Sequence, residues 1–249
     1  MTQPTEPRGE QAAEAEPALE FLVFSGAYER VLSRTALGYA DAEAPSVIGA
    51  LALSGRLEEA ESAFAAYRSS STSADGVAQA RFFVVAGLCH AGATQRALRH
   101  ALGSLAEVLA APSPRRFWAC QGLAVVRYFE GRYAQSRRFA RRALSAAVAT
   151  RFPYARCLAL DLLAHVSVQV GDIYAGLRRL SQAEALALSL GYTENAATLH
   201  TAGLVFQLRF TLGDVNQVIE RVEALTRSPL VSYFTRRNAG IELASILAL

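Results

Sequence analysis

Residues 54–61 read SGRLEEAE, and five other segments of the chain share its layout. Each segment follows an apolar stretch, has glycine as its second residue and opens another amphipathic stretch. Glycine ends a helix at little steric cost because it adopts the left-handed conformation, so the next helix can start at once and turn back along the first. The layout therefore predicts helical hairpins. Its glycines, spaced 29, 37, 39, 40 and 42 residues apart, are Gly26, Gly55, Gly92, Gly131, Gly171 and Gly213.

The residues around these glycines support the same interpretation. A small residue stands five positions after four of them, where it would let the paired helix approach closely: Ala60, Ala97, Ser136 and Gly176. Residues 69–76 (SSSTSADG) are predicted to be a polar loop, and Ser113-Pro114 and Ser228-Pro229 each resemble a helix start. No segment alternates with period two, which disfavours strands. The predicted hairpins are 17–40, 44–68, 77–110, 114–149, 153–190 and 194–227, followed by a single helix at 229–249.

Residues 55–67, GRLEEAESAFAAY, resemble the second helix of a tetratricopeptide repeat, with Gly55, Leu57, Ala60 and Phe64 in register. The longer spacing of 37 to 42 residues is more similar to the repeats of large bacterial signal-transduction regulators. The first-helix signature of the family is largely missing, so the resemblance is to a tetratricopeptide-like array. Over residues 17–249 it implies an all-α, right-handed α-solenoid of about six antiparallel hairpins plus a terminal helix.

Composition limits the class of protein. The chain has 249 residues, 52% of them hydrophobic, and its 17 Gly and 8 Pro are too few for a disordered chain. Three scattered cysteines favour a reduced compartment. No apolar run approaches the roughly 18 residues that span a bilayer, and the N-terminus lacks the pattern of a secretory signal. We expect a cytoplasmic protein with no membrane partner, whose residues 1–16 form a disordered acidic tail.

No motif in the sequence indicates catalysis. The four histidines lack the spacing of a metal-binding HExxH, and the chain has no lysine for a P-loop and no GxSxG elbow. Cys120, which could be a reactive thiol, is expected to be a buried small residue. The sequence therefore predicts a non-enzymatic protein without cofactor or metal.

Surface recognition is the expected function. In arrays that resemble this one, the first helix of each hairpin lines a concave wall. Counting back from the turn glycines places an aromatic and amide-rich set there, suited to an extended peptide or a helix. The alternative is that half of these residues pack in the core. The candidate groove residues are Gln79, His90, Trp118, Gln121, Tyr128, Asp161, His165, Gln169, His200 and Gln207.

A basic patch is the second candidate surface. Residues 113–156 contain ten arginines and one acid, Glu130, which creates a local positive field. This field predicts an acidic partner, either a carboxylate-rich protein segment or nucleic acid. Nucleic acid is the less favoured of the two, because no DNA-binding motif accompanies the patch. The alternative is a solvated face that the acidic residues 1–20 screen. The patch residues are Arg132, Arg137, Arg138, Arg141 and Arg142.

Two functional hypotheses follow. The first is a protein-interaction scaffold or regulatory module in bacterial regulation, which binds a protein or peptide. The second is a ligand-responsive sensor that binds a small molecule or signalling peptide in the concave groove. The apolar segment 229–249 is expected to be covered, by a second copy of the chain or by further repeats, because end repeats need a polar outer face.

Overall fold

The computed structural model describes residues 17–209, 214–228 and 233–247, and within these ranges the chain is helical, with no β-strand. The predicted acidic tail at 1–16 and the hinge at Gly213 lie outside the described residues. The α-helices are α1 Leu19–Phe24, α2 Tyr28–Arg34, α3 Ala44–Leu53, α4 Leu57–Ser70, α5 Ala74–His90, α6 Thr94–Leu102, α7 Leu105–Val108, α8 Pro114–Phe129, α9 Tyr133–Ala149, α10 Pro153–Gln169, α11 Ile173–Ser189, α12 Thr193–Arg209, α13 Val215–Arg227 and α14 Tyr233–Leu247.

These helices follow the predicted pairs, with three differences. The loop expected at 69–76 is mostly helical, because α4 continues to Ser70 and the Ser73 side chain starts α5 by accepting a hydrogen bond from the Gly76 amide at 3.1 Å. The second half of the pair at 77–110 breaks at Gly103 into α6 and α7. Ser228, predicted as a helix start, is the C-cap of α13, and the residues that follow it, 229–232, lie outside the described residues. Ser113 does cap α8, accepting from the Arg116 amide at 3.2 Å.

The turn glycines have the predicted conformation. Gly26, Gly55, Gly92, Gly131 and Gly171 have φ between +72° and +85°. Each turn closes with the pair of backbone bonds that ends a helix on a left-handed residue: at the second hairpin, the Arg56 amide donates to the Leu51 carbonyl at 3.0 Å, and the Gly55 amide to the Ala52 carbonyl at 3.2 Å. The residue after the glycine immediately precedes the next helix, which makes the hairpin turn short.

Helices pack mainly against their neighbours along the chain. Helix α5 contacts both helices of the preceding pair, α3 and α4; α8 contacts α5 and α6; and α10 contacts α8 and α9. Toward the C-terminus α12 packs on α11, and α14 packs on α13. We call α3, α5, α8, α10 and α12 the first helices, and α4, α6, α9, α11 and α13 the second helices, of five successive hairpins. Each hairpin buries its apolar side against the next.

Small residues set the spacing within hairpins, as predicted. Ala60, Ala97 and Ser136 are fully buried, and the Ser136 hydroxyl donates to the Ala124 carbonyl of α8 at 2.7 Å. A Cβ atom at Gly176 would lie 2.6 Å from a Val168 methyl group, which is closer than side-chain carbons approach. Glycine at this position therefore allows α10 and α11 to pack at their observed separation.

The two ends of the chain make contacts that sequence order does not suggest. The Phe24 ring of α1 stacks on Tyr154 of α10, with ring centroids 3.5 Å apart, and Phe21 lies 5.3 Å from the Tyr192 ring. A Cβ atom at Gly55 would meet the Tyr233 ring of α14 at 2.9 Å. Helix α1 thus packs on hairpins more than 100 residues away, and α14 reaches the turn between α3 and α4.

Candidate functional site

Five of the predicted groove residues come together on three successive first helices, four of them near the C-terminal ends and Asp161 at the middle of α10. We call this group the histidine surface: His90, Tyr128, Asp161, His165 and Gln169. His165 Nδ1 lies 3.1 Å from Asp161 Oδ1, and the Gln169 amide nitrogen donates to the Tyr128 hydroxyl at 3.4 Å. The Tyr128 and His165 rings are edge to face, with centroids 6.2 Å apart. Side chains from α5, α8 and α10 therefore form one continuous surface.

Two phenylalanines pack against the rings of this surface, one of them exposed and the other buried. Phe129 lies 5.1 Å from the His90 ring, and Phe206 of α12 lies 5.1 Å from the His165 ring, both edge to face. Phe129 is 38% exposed, whereas Phe206 is buried. The histidine surface thus offers rings and hydrogen-bonding groups side by side, a combination that binds amphipathic side chains.

Burial controls the charge of this surface. It lowers the pKa of His90 to about 4; the interaction with His165 lowers it further, and the Asp161 carboxylate opposes the effect. His90 is therefore neutral at neutral pH. The Asp161 carboxylate also orients the His165 ring, and the Asp161 carbonyl lies 3.0 Å from the same Nδ1 atom. Electrostatically, the surface presents one carboxylate and two imidazoles from two helices, α5 and α10.

Trp118 and Gln121 do not belong to an exposed wall, so their assignment to the groove is wrong. Both are only 2% exposed. The Trp118 ring is surrounded by Phe82, Phe117 and Phe152, with centroids 4.7 to 5.7 Å away, and the Gln121 amide donates to the Leu158 carbonyl at 3.1 Å. Helix α8 is packed by α5, α6, α9 and α10, which makes its central part core rather than surface.

The remaining groove candidates lie apart from the histidine surface. Gln79, near the start of α5, donates to the Glu20 carboxylate of α1 at 3.2 Å, so the chain's own N-terminal helix contacts this end of the wall. His200 faces α11, with Nδ1 3.1 Å from Glu184 Oε1. It lines a shallow groove of about 330 Å³ between α11, α12 and α13, together with Arg221. Gln207 is half buried on α12.

The basic patch is present and larger than predicted. Arg137, Arg138, Arg141 and Arg142 lie on α9, and the exposed Arg132 precedes it, 3.6 Å from Glu130. Arg178 and Arg179 of α11 join them: burial lowers the pKa of Arg179, and the charges of Arg137, Arg141 and Arg178 lower it further. Sequence reasoning missed this pair, although Arg178 and Arg138 both stand seven residues after a turn glycine.

Comparison of the chain with protein-family models, with curated proteins and with solved structures found no match in any of the three. Within the described residues, no group of three or more His, Cys, Asp or Glu side chains is placed to hold a metal ion. No helix in the described ranges is both long and apolar enough to cross a membrane. The side chains themselves are therefore the basis for inferring the function.

Proposed function

We propose that this chain is a non-catalytic protein-interaction module that binds a protein or peptide partner. Its stacked hairpins form a right-handed, tetratricopeptide-like superhelix, and the histidine surface lies on the wall that the first helices line. The packing of each first helix on the preceding hairpin supports this arrangement. The resemblance to the repeats of large bacterial regulators supports a role in bacterial regulation.

The histidine surface is the observation that carries the proposal. It is assembled from three successive first helices, and Phe129 and Phe206 pack against its rings. Rings alternate with hydrogen-bonding groups along it, which matches an extended peptide or an amphipathic helix whose side chains alternate in the same way. The exposed Gln169 marks its accessible edge.

The cysteines support a role without nucleophilic chemistry. Cys89, Cys120 and Cys157 are buried. Burial raises the pKa of Cys89 and of Cys157 to about 12, and it raises the pKa of Cys120 as well. A thiol with a raised pKa is almost entirely protonated at neutral pH and is a poor nucleophile.

A comparative pull-down tests the proposal. The bait is the full chain, as wild type, as Gln169→Arg at the edge of the histidine surface, and as Gln217→Arg on the exposed part of α13. We expect Gln169→Arg to lose a partner that wild type and Gln217→Arg both retain, because an arginine would displace the ligand from the Tyr128 hydroxyl. Equal recovery of that partner by all three baits would refute binding at this surface.

A ligand-responsive sensor is the second candidate, favoured by the mixture of half-buried polar groups and rings at the same surface. A sensor would show a raised thermal midpoint with a small molecule or short peptide from a mixed library, and the shift would shrink in Gln169→Arg. An interaction module would instead retain a macromolecular partner through gel filtration.

A further inference from the structure

The second helices α9 and α11 carry six arginines that form a single positive surface, which we call the arginine face: Arg137, Arg138, Arg141, Arg142, Arg178 and Arg179. We propose that the arginine face binds a carboxylate-rich segment of a partner protein. It uses residues separate from the histidine surface, so it is a second binding site whose occupation does not depend on the first.

The geometry joins the two helices into one face. Arg138, Arg141 and Arg178 are exposed. Arg179 is fixed against the hairpin, because its guanidinium donates to the Ser167 hydroxyl of α10 at 2.7 Å. Arg137 and Arg141 of α9 lie near enough to Arg179 of α11 for their charges to act on it, as does the charge of the neighbouring Arg178. The face therefore combines one anchored guanidinium group with exposed ones from two successive hairpins.

The described residues do not neutralise this charge. Helix α9 contains no acidic residue, and the single acid of α11, Glu184, lies beside His200 instead. No carboxylate in the described ranges lies within 4.0 Å of any of the six guanidinium groups, whereas Arg56, Arg96 and Arg115 elsewhere each have one. Arginines spaced i, i+4 repel by a few tenths of a kcal/mol per pair. An acidic partner would remove that repulsion.

The chemistry of the face favours a protein segment. Tyr174, one helical turn before Arg178, is 69% exposed. Exposed tyrosine and arginine together are typical of the residues that dominate protein interfaces, and guanidinium binds carboxylate through two parallel hydrogen bonds. These features favour a short run of Glu or Asp over nucleic acid.

Fluorescence anisotropy with a labelled octaglutamate peptide at low salt is the test. The charge reversals Arg138→Glu, Arg141→Glu and Arg178→Glu are combined in one variant of the full chain. The matched control combines Arg30→Glu, Arg68→Glu and Arg99→Glu, which are also exposed and change the net charge equally. We expect wild type to bind and the arginine-face variant to bind at least tenfold more weakly, with less than a threefold change in the control.

Three outcomes would overturn the proposal. Absence of binding by wild type is the first, and equal weakening in the variant and the control is the second, since binding would then follow net charge alone. The third is tighter binding of a labelled single-stranded or duplex oligonucleotide through the same arginines, which would assign the face to nucleic acid. Circular dichroism shows whether the variants remain folded.

Discussion

The contact between the N-terminal helix and the distant tenth helix provides the sharpest test of the fold. Phe24 is 4% exposed and stacks on Tyr154, with the Phe83 ring 6.4 Å away. Replacing a buried phenylalanine by alanine typically lowers the free energy of unfolding by about 3–5 kcal/mol. We expect Phe24→Ala to lower the free energy of unfolding by about 3 kcal/mol, toward the low end because α1 is only six residues long. Urea denaturation followed by circular dichroism measures the loss.

A double-mutant cycle isolates the contact itself. Phe24→Leu and Tyr154→Leu keep most of the apolar volume but remove the ring pair, whose coupling we expect to be about 0.5–1.5 kcal/mol. Leu37→Ala is the control, because Leu37 is fully exposed in the same N-terminal region and its loss should change stability by less than about 0.5 kcal/mol. A loss below about 1 kcal/mol for Phe24→Ala, or a coupling of zero, would refute the packing of α1 on α10.

Three further predictions concern packing, pH and thiol reactivity. Gly176→Ala should destabilise the fold by about 1–3 kcal/mol, because the new Cβ atom would overlap Val168. Gly122→Ala is the control: the nearest atom to its new Cβ would be 3.9 Å away, so the change should be neutral or stabilising by up to about 1 kcal/mol. Thermal melts of both variants separate these outcomes. The pKa of His90 lies below its ordinary value of 6.5, so the unfolded chain takes up the proton first and stability falls as the pH drops from 6.5 toward about 4. Urea titrations at several pH values should show a loss of up to about 3 kcal/mol in the free energy of unfolding. This loss should be absent in His90→Gln, and the same pH profile in that variant as in wild type would contradict the assignment. The three buried thiols are those of Cys89, Cys120 and Cys157. They should react with a thiol reagent at least a hundredfold more slowly in the native protein than in denaturant. Rapid labelling of the native protein would show that at least one of them is accessible.

The hairpins were predictable because their signals are local. A left-handed glycine such as Gly55, and a capping serine such as Ser113, act through hydrogen bonds within a few residues, so the same short pattern gives the same turn wherever it occurs. Two further left-handed residues, Gly191 and Arg151, were missed, although they end α11 and α9 in the same way. They lie between hairpins, whereas the predicted layout covers only the turns within hairpins.

The candidate site was predictable only in part. Counting along the first helices identified His90, Tyr128 and His165, which the structure brings together. The same counting placed Trp118 on the exposed wall, but α8 is surrounded by other helices there. A helical wheel does not show how many neighbours a helix has, so it cannot tell a wall position from a core position.

The sequence by itself determined where helices begin, end and reverse, because these events depend on residues close together in the chain. Only the tertiary structure decided which side chains meet. Stacking the hairpins brings His90 near Asp161, 71 residues later, and sets Arg178 beside the arginines of α9. Folding back of α1 places Phe24 on Tyr154. These contacts depend on the angle and register at which whole hairpins pack, which arise from many weak apolar contacts and leave no short motif in the sequence.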